Sequence, residues 1–436
     1  MIKKISFFLF IVTIYSNCSF DTRSGIWTQT ENIKKEASLE SKSQILFEIK
    51  KIDTKELNQN LIIKTPLKTK INYNFKNDNN SGPLLTFETF KKKSKYKFSK
   101  IKNFENFSYD LIFDKDNLIF FDKNGTIIKF NDNSKVIWKK NFYSKQEKKS
   151  LPILNFSTNG KILIVNDNLS KYYALNLTTG EIIWNKSHET IFISKVKIDK
   201  DKFFAIDSNN NIFCFNLING KKIWSFNTEN LLIKSQKKLS IVLDDKKLYF
   251  NNSNGDIYSL DKNSGRLVWL IPLRNTNISS KSFLHKNSNL VLDNDSLYFS
   301  NNQNAFFSLD KNNGVINWKQ NVSSYFTPTI AKNLIFTVNN EGYLFVIDKR
   351  NGNIVRINDL FKNLGKRKRS KIKISGFVLS NNSIYLSLNN GKILEANISD
   401  GKQSSILNVG GNQLSKPFIN NKQLFIIKNN EIVKIY

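Results

Sequence analysis

Two histidines, two cysteines and a few paired acids are the side chains of this 436-residue sequence whose types could bind a metal, move a proton or attack a carbonyl. His188 and His285 lie far apart, and neither has a second His or Cys at metal-ligand spacing, so no metal site is expected. Asp244-Asp245 and Asp293-Asn294-Asp295 could act as an acid and base pair, but they fall between consecutive apolar stretches, where tight turns demand Asp and Asn. The sequence contains no nucleophile elbow around a serine, no phosphate-cradling Walker loop and no dinucleotide fingerprint. Cys214 occupies a position filled elsewhere by Ala174, Ser259 and Ser308, which reads as a small buried residue. The residue types therefore point away from catalysis and imply no cofactor.

The elements around these residues repeat. YYALNLTTGEIIW (Tyr172 to Trp184), IFCFNLINGKKIW (Ile212 to Trp224), IYSLDKNSGRLVW (Ile257 to Trp269) and FFSLDKNNGVINW (Phe306 to Trp318) share one grammar. An apolar strand ends in Asn or Asp, a polar turn ends in Gly180, Gly220, Gly265 or Gly314, and a second strand carries Trp184, Trp224, Trp269 or Trp318 four residues later. Two later copies, LFVIDKRNGNIVR and ILEANISDGKQSS, lose the Trp, and an upstream copy, TIIKFNDNSKVIW, loses the Gly but keeps Trp138. Trp positions 138, 184, 224, 269 and 318 are 40 to 49 residues apart, which is the period of a propeller blade made of short strands. The Asx residue caps the turn amides, Gly accepts positive φ, and Trp reads as a wide wedge between adjacent blades.

The count of blades is eight. Seven hairpins are visible, and PFINNKQLFIIKNNEIVKIY at the end supplies three strands without a fourth. An N-terminal strand must complete that sheet, and KYKFSKI (Lys95 to Ile101) is the best candidate, ahead of Ile71 to Phe75. The expected fold is thus an all-β, eight-bladed β-propeller in which the two ends of the chain close one blade and leave no open edge there.

The first residues, with Lys3 and Lys4 before an apolar run from Ile5 to Ile14, read as a signal peptide over 1–17. Tyr15-Ser16-Asn17-Cys18 resembles a bacterial lipobox, which makes Cys18 the expected lipidation site. Residues 18–93 lack the repeat, are rich in Lys, Glu, Asn and Ser, and read as a polar tether before a propeller spanning 94–436. The formal net charge of +31 accompanies over-use of Lys, Asn, Ile and Phe together, and the lysines are spread through every blade, so no nucleic-acid partner is inferred. The basic run Lys366 to Lys371 reads as a solvated loop between the sixth and seventh repeats.

The Gly-x-x-x-Trp hairpins resemble the repeats of pyrroloquinoline-quinone (PQQ) propellers, a superfamily of quinone-dependent dehydrogenases and non-enzymatic scaffolds. The dehydrogenases have adjacent cysteines and calcium-holding acids that this sequence lacks. The chain is more similar to the scaffold branch, the BamB family of outer-membrane assembly lipoproteins, in its lipobox, its blade count and its end a few residues into the last inner strand. That resemblance runs from about Ser94 to Tyr436 and implies a non-catalytic, lipid-anchored, periplasm-facing protein without a cofactor. It implies as partners BamA-like periplasmic domains, other barrel-assembly components and nascent outer-membrane proteins. It also implies a partner-binding role for Leu231, Leu232, Ile233 and Lys234, which stand where the family carries a Leu-x-Leu-Arg element. The alternative on the same fold is a periplasmic PQQ- or sugar-binding enzyme.

Overall fold

A computed structural model describes residues 55–63, 79, 82–87, 89–229, 235, 237–273, 286–302, 304–411 and 413–436. Eight four-stranded antiparallel sheets follow one another along residues 93–435. Blades one to seven span 112–140, 154–187, 197–226, 241–271, 291–320, 329–359 and 374–408, each with its strands in chain order from the short inner strand to the outer one. The two middle strands of each blade are covered on both faces by neighbouring blades. They are therefore continuous apolar runs such as Phe203, Phe204, Ala205 and Ile206, all essentially inaccessible. The eighth blade takes Phe418–Asn420, Gln423–Ile427 and Glu431–Ile435 from the C-terminus and Lys93–Lys97 as its outer strand.

That closing strand pairs Lys93 with Ile435 and Lys97 with Glu431. It begins two residues upstream of the expected stretch and stops at Lys97. Beyond it the amides of Phe98 and Ile101 turn to the carbonyls of Asn430 (3.1 Å) and Asn429 (2.7 Å). The last strand, Glu431–Ile435, is also not an inner strand: it lies third in its blade, between Gln423–Ile427 and Lys93–Lys97. Tyr96, fully buried, meets Phe130 of blade one edge to face at 5.6 Å, and Phe113 meets Phe425 at 4.9 Å, so aromatic packing seals the junction of blades eight and one.

Each Gly-x-x-x-Trp hairpin is built the same way. The Asn176 side chain accepts the amides of Thr178 (2.8 Å) and Thr179 (3.1 Å), and its carbonyl accepts the Gly180 amide at 2.8 Å. Gly180, Gly220, Gly265 and Gly314 have φ of 71°, 66°, 74° and 79°, a region open to glycine at little cost. A β-bulge follows: Cys214 opposes Trp224, but Phe215 opposes Lys222, leaving Ile223 unpaired. The same slip recurs in blades one to seven. It turns the residue four after the glycine toward the next blade. There the ring lies against the next glycine, with Trp184 only 2.7 Å from where a Cβ on Gly220 would sit and Trp224 2.7 Å from that of Gly265. Trp184, Trp269 and Trp318 donate Nε1–H to Leu217, Lys311 and Lys349 carbonyls of the following blade at 3.0, 3.1 and 3.0 Å.

Segments upstream of the closing strand run along the ring. Leu57 and Ile357 exchange amide-to-carbonyl bonds of 3.1 and 3.0 Å at the outer edge of blade six, and the Ile63 amide reaches Ser399 at 2.8 Å. Leu84 bridges to Ser380 and Thr86 to Lys422 on blades seven and eight. These contacts belong to the stretch read as a tether.

Candidate functional site: the central channel

The eight inner strands surround a channel holding a cavity of about 310 Å³. Its two ends differ in chemistry. At the end where inner strands turn into second strands, Asn79 is bonded to Leu243 and Leu292, and Leu84 to Leu379, so the wall there is mainly backbone and apolar side chains. At the opposite end, where one blade's outer strand leads into the next blade's inner strand, the channel is lined by Asp110, Lys195, Lys237, Lys238 and Lys416.

These residues come from blades that are distant in sequence, and they meet around one carboxylate. Asp110 Oδ1 lies 2.8 Å from Lys416 Nζ and 3.2 Å from Lys195 Nζ, and its Oδ2 lies 3.9 Å from Lys238 Nζ. Lys238 also donates to the Ser108 carbonyl at 2.9 Å. Lys237 donates to the carbonyls of Asn287 (3.2 Å) and Tyr325, and its Nζ lies 5.3 Å from the Tyr325 ring, which Lys286 approaches at 5.6 Å. Burial favours a neutral Asp110, but Lys195, Lys416 and Lys238 outweigh it and hold the carboxyl well below its ordinary range. Burial, reinforced by Lys416, Lys286 and Lys195, lowers Lys237 to about 7. Lys238 falls to about 8 because burial and the ammonium groups of Lys195 and Lys416 outweigh the pull of Asp110.

These shifts have a direct consequence for stability. An unfolded chain keeps both lysines protonated up to about their ordinary value of 10.5, whereas the fold releases those protons from about 7 and about 8 upward. The unfolded state therefore binds more protons across that window, and the pair makes stability rise with pH through it. Asp110 acts at the other end of the scale: its stabilisation is present above the ordinary carboxylate range and is lost on acidification. The other charged and titratable groups at this mouth are Lys195, Lys197, Lys286, Tyr325 and Lys416. Raising the pH from 7 to 9.5 is expected to increase the unfolding temperature more in the wild type than in Lys237→Met/Lys238→Met. Scanning calorimetry at the two pH values measures this, and equal slopes would remove the assignment.

The donor set does not fit calcium with a quinone. Calcium takes six to eight oxygen ligands, usually with several carboxylates. Among the described residues this mouth offers Asp110 alone, already surrounded by three ammonium groups, and no group of three His, Cys, Asp or Glu side chains occurs among them.

The other sequence-derived candidates lie elsewhere. Gly180, Gly220, Gly265, Gly314 and their tryptophans Trp184, Trp224, Trp269 and Trp318 form the blade seams rather than the channel wall. Asp244 caps the amides of Lys246 and Lys247 and accepts the Tyr249 hydroxyl at 2.8 Å. Asp293 pairs with Lys349 at 2.6 Å across two blades, and His188 stacks on Phe192. The basic run forms a helical turn, Lys366–Arg369, in which Arg369 pairs with Asp359. Cys18, Leu231, Leu232, Ile233, Lys234 and His285 lie outside the described residues. The channel cluster forms no local motif, because lysines are dispersed through every blade of the sequence. The signal was register: Asp110, Lys195 and Lys416 each stand two residues before the inner strand of their blade.

Comparison with known proteins places this geometry in a family. The family model described as outer membrane protein assembly factor BamB matches residues 123–358. Among solved structures, BamB from Moraxella catarrhalis superposes with a TM-score of 0.64 at 16% identity, covering 79% of this chain and 100% of that one. The quinohemoprotein alcohol dehydrogenase of Comamonas testosteroni gives 0.63 at 9% identity over 86% and 81% of the two chains. A europium-containing methanol dehydrogenase gives 0.63 at 9% identity over 83% and 89%. At these identities the structural likeness speaks for the fold alone. No curated protein matches the sequence.

Proposed function

The chain belongs to the outer membrane protein assembly factor BamB family, and on that premise we propose that it is a non-catalytic scaffold lipoprotein of outer-membrane β-barrel assembly. In this reading it docks on BamA-like periplasmic domains and aids insertion of nascent β-barrel proteins. The observation that carries the reading is the family match over 123–358, which spans the blades that keep the Gly-x-x-x-Trp grammar. The channel chemistry supports it, because a mouth with one carboxylate among lysines is a poor host for the calcium of a quinone enzyme.

The mechanism is positional. Packed blades fix the points at which connections leave the ring, and a lipid on Cys18 would keep the ring near the membrane and raise its effective concentration there. The docking surface is assigned to the connection between blades three and four, where Leu231, Leu232, Ile233 and Lys234 combine apolar anchors with a positive charge. Affinity purification from native envelopes is expected to recover a BamA-like partner with the wild type. Leu231→Asp combined with Lys234→Glu is expected to weaken that association at least about tenfold, roughly 1.4 kcal/mol, at an unchanged unfolding midpoint. Undiminished recovery would move the interface elsewhere. Stabilisation of the purified chain by PQQ with calcium would favour the enzyme reading instead.

A further inference from the structure

We propose that the channel mouth framed by Lys195, Lys237, Lys238, Lys286 and Lys416 binds a multiply charged phosphate oxyanion. The inference is independent of the assembly role.

Among the described residues five lysines surround one carboxylate at this mouth, and Asp110 is already shared by three of them, so these residues carry a concentrated positive excess. Grouping like charges in a half-buried cavity is unfavourable, since their repulsion is screened less than at an open surface. Burial and mutual repulsion drive Lys237 and Lys238 partly neutral at physiological pH. A bound anion would reverse that strain.

The lysines approach from different blades around the ring axis, and the described lining contains no arginine. Arginine forks suit planar, two-point recognition, whereas flexible ammonium groups converging from several sides suit a compact tetrahedral anion with acceptors in all directions. A cavity of about 310 Å³ admits a small phosphate group rather than a folded segment of another protein. Two sources share this chemistry, a free phosphate compound and a phosphorylated lipid headgroup.

The test uses the full chain carrying Cys18→Ser, which removes the lipid, and vesicle capture is scored as the difference from Lys237→Met/Lys416→Met, so that a contribution from the apolar run Ile5 to Ile14 cancels. Titration with inorganic pyrophosphate in metal-free buffer is expected to give saturable heat and a rise in unfolding temperature. Lys237→Met/Lys416→Met is expected to weaken binding at least tenfold, whereas Lys366→Ala/Lys368→Ala on the surface turn leaves it unchanged. Asp110→Asn is expected to tighten binding, because it removes the competing carboxylate, and pyrophosphate should raise its unfolding temperature more than that of the parent. This holds even where the variant is itself less stable. Phosphatidic acid vesicles distinguish the sources: capture that is lost in Lys237→Met/Lys416→Met assigns the headgroup, and pyrophosphate binding without vesicle capture assigns a free compound. Absence of binding to both probes, equal binding by the channel and surface variants, or weaker binding in Asp110→Asn overturns the proposal.

Discussion

Gly220→Val is expected to destabilise the propeller by about 3 kcal/mol or more, from two costs that add. Gly220 has φ 66°, and a side chain in the left-handed region costs roughly 1–2 kcal/mol, more for a β-branched one. The new Cβ would also lie 2.7 Å from the Trp184 ring, which is held by its bond to Leu217 and stacks on Phe203 at 6.0 Å. Overpacking of that kind costs about 1–3 kcal/mol, and the seam cannot relax without parting two blades. The two costs can be separated. Gly220→Asn tolerates the backbone angle better but still meets the ring, and Gly220→Ala should be milder in a Trp184→Ala background than in the wild type. Urea unfolding midpoints of the four proteins give the coupling. Additive effects would mean that Trp184 and Gly220 do not form one seam.

The legibility of this fold follows from the same residues. Glycine, Asx and Trp at fixed offsets encode a turn, a bulge and a wedge within thirteen residues, so seven blades could be read from sequence. The eighth required only the observation that three C-terminal strands lacked a fourth. The bounds of the closing strand were harder, because Tyr96 and Phe98 continue one alternation past the strand's end and only pairing with Glu431–Ile435 decides where it stops. The channel was out of reach for a different reason. Its lysines lie in connections of unequal length, and although Asp110, Lys195 and Lys416 share a position two residues before an inner strand, their convergence depends on ring closure. In a chain with so many lysines, charge counting hid the five that matter.

Arg356 is where a loss of consensus becomes a gain of contact, and it yields the second large prediction. It stands four residues after Gly352, opposite Val346 at the bulge, in the place that tryptophan takes in blades one to five. Its side chain is fully buried, and the guanidinium donates to Ile398 at 2.7 Å, to Ser399, and to Leu61 at 2.9 Å. Ile398 is three residues before Gly401, as Leu217 is before Gly220, so arginine keeps the inter-blade bond of the indole. It then reaches further, to residues 55–63. Burial lowers its pKa to about 10, and it remains charged at neutral pH. Arg356→Ala leaves those carbonyls without a donor and opens a cavity, with an expected loss of about 3–5 kcal/mol. Arg356→Trp separates the two roles: the indole can serve Ile398 and hold the seam, but it cannot reach Leu61. Its unfolding midpoint should therefore lie closer to wild type, while the amides of Leu57 and Ile63 lose protection from hydrogen exchange. Retained protection at Leu57 and Ile63 in both variants would show that the reciprocal bonds between Leu57 and Ile357 hold this segment without the arginine.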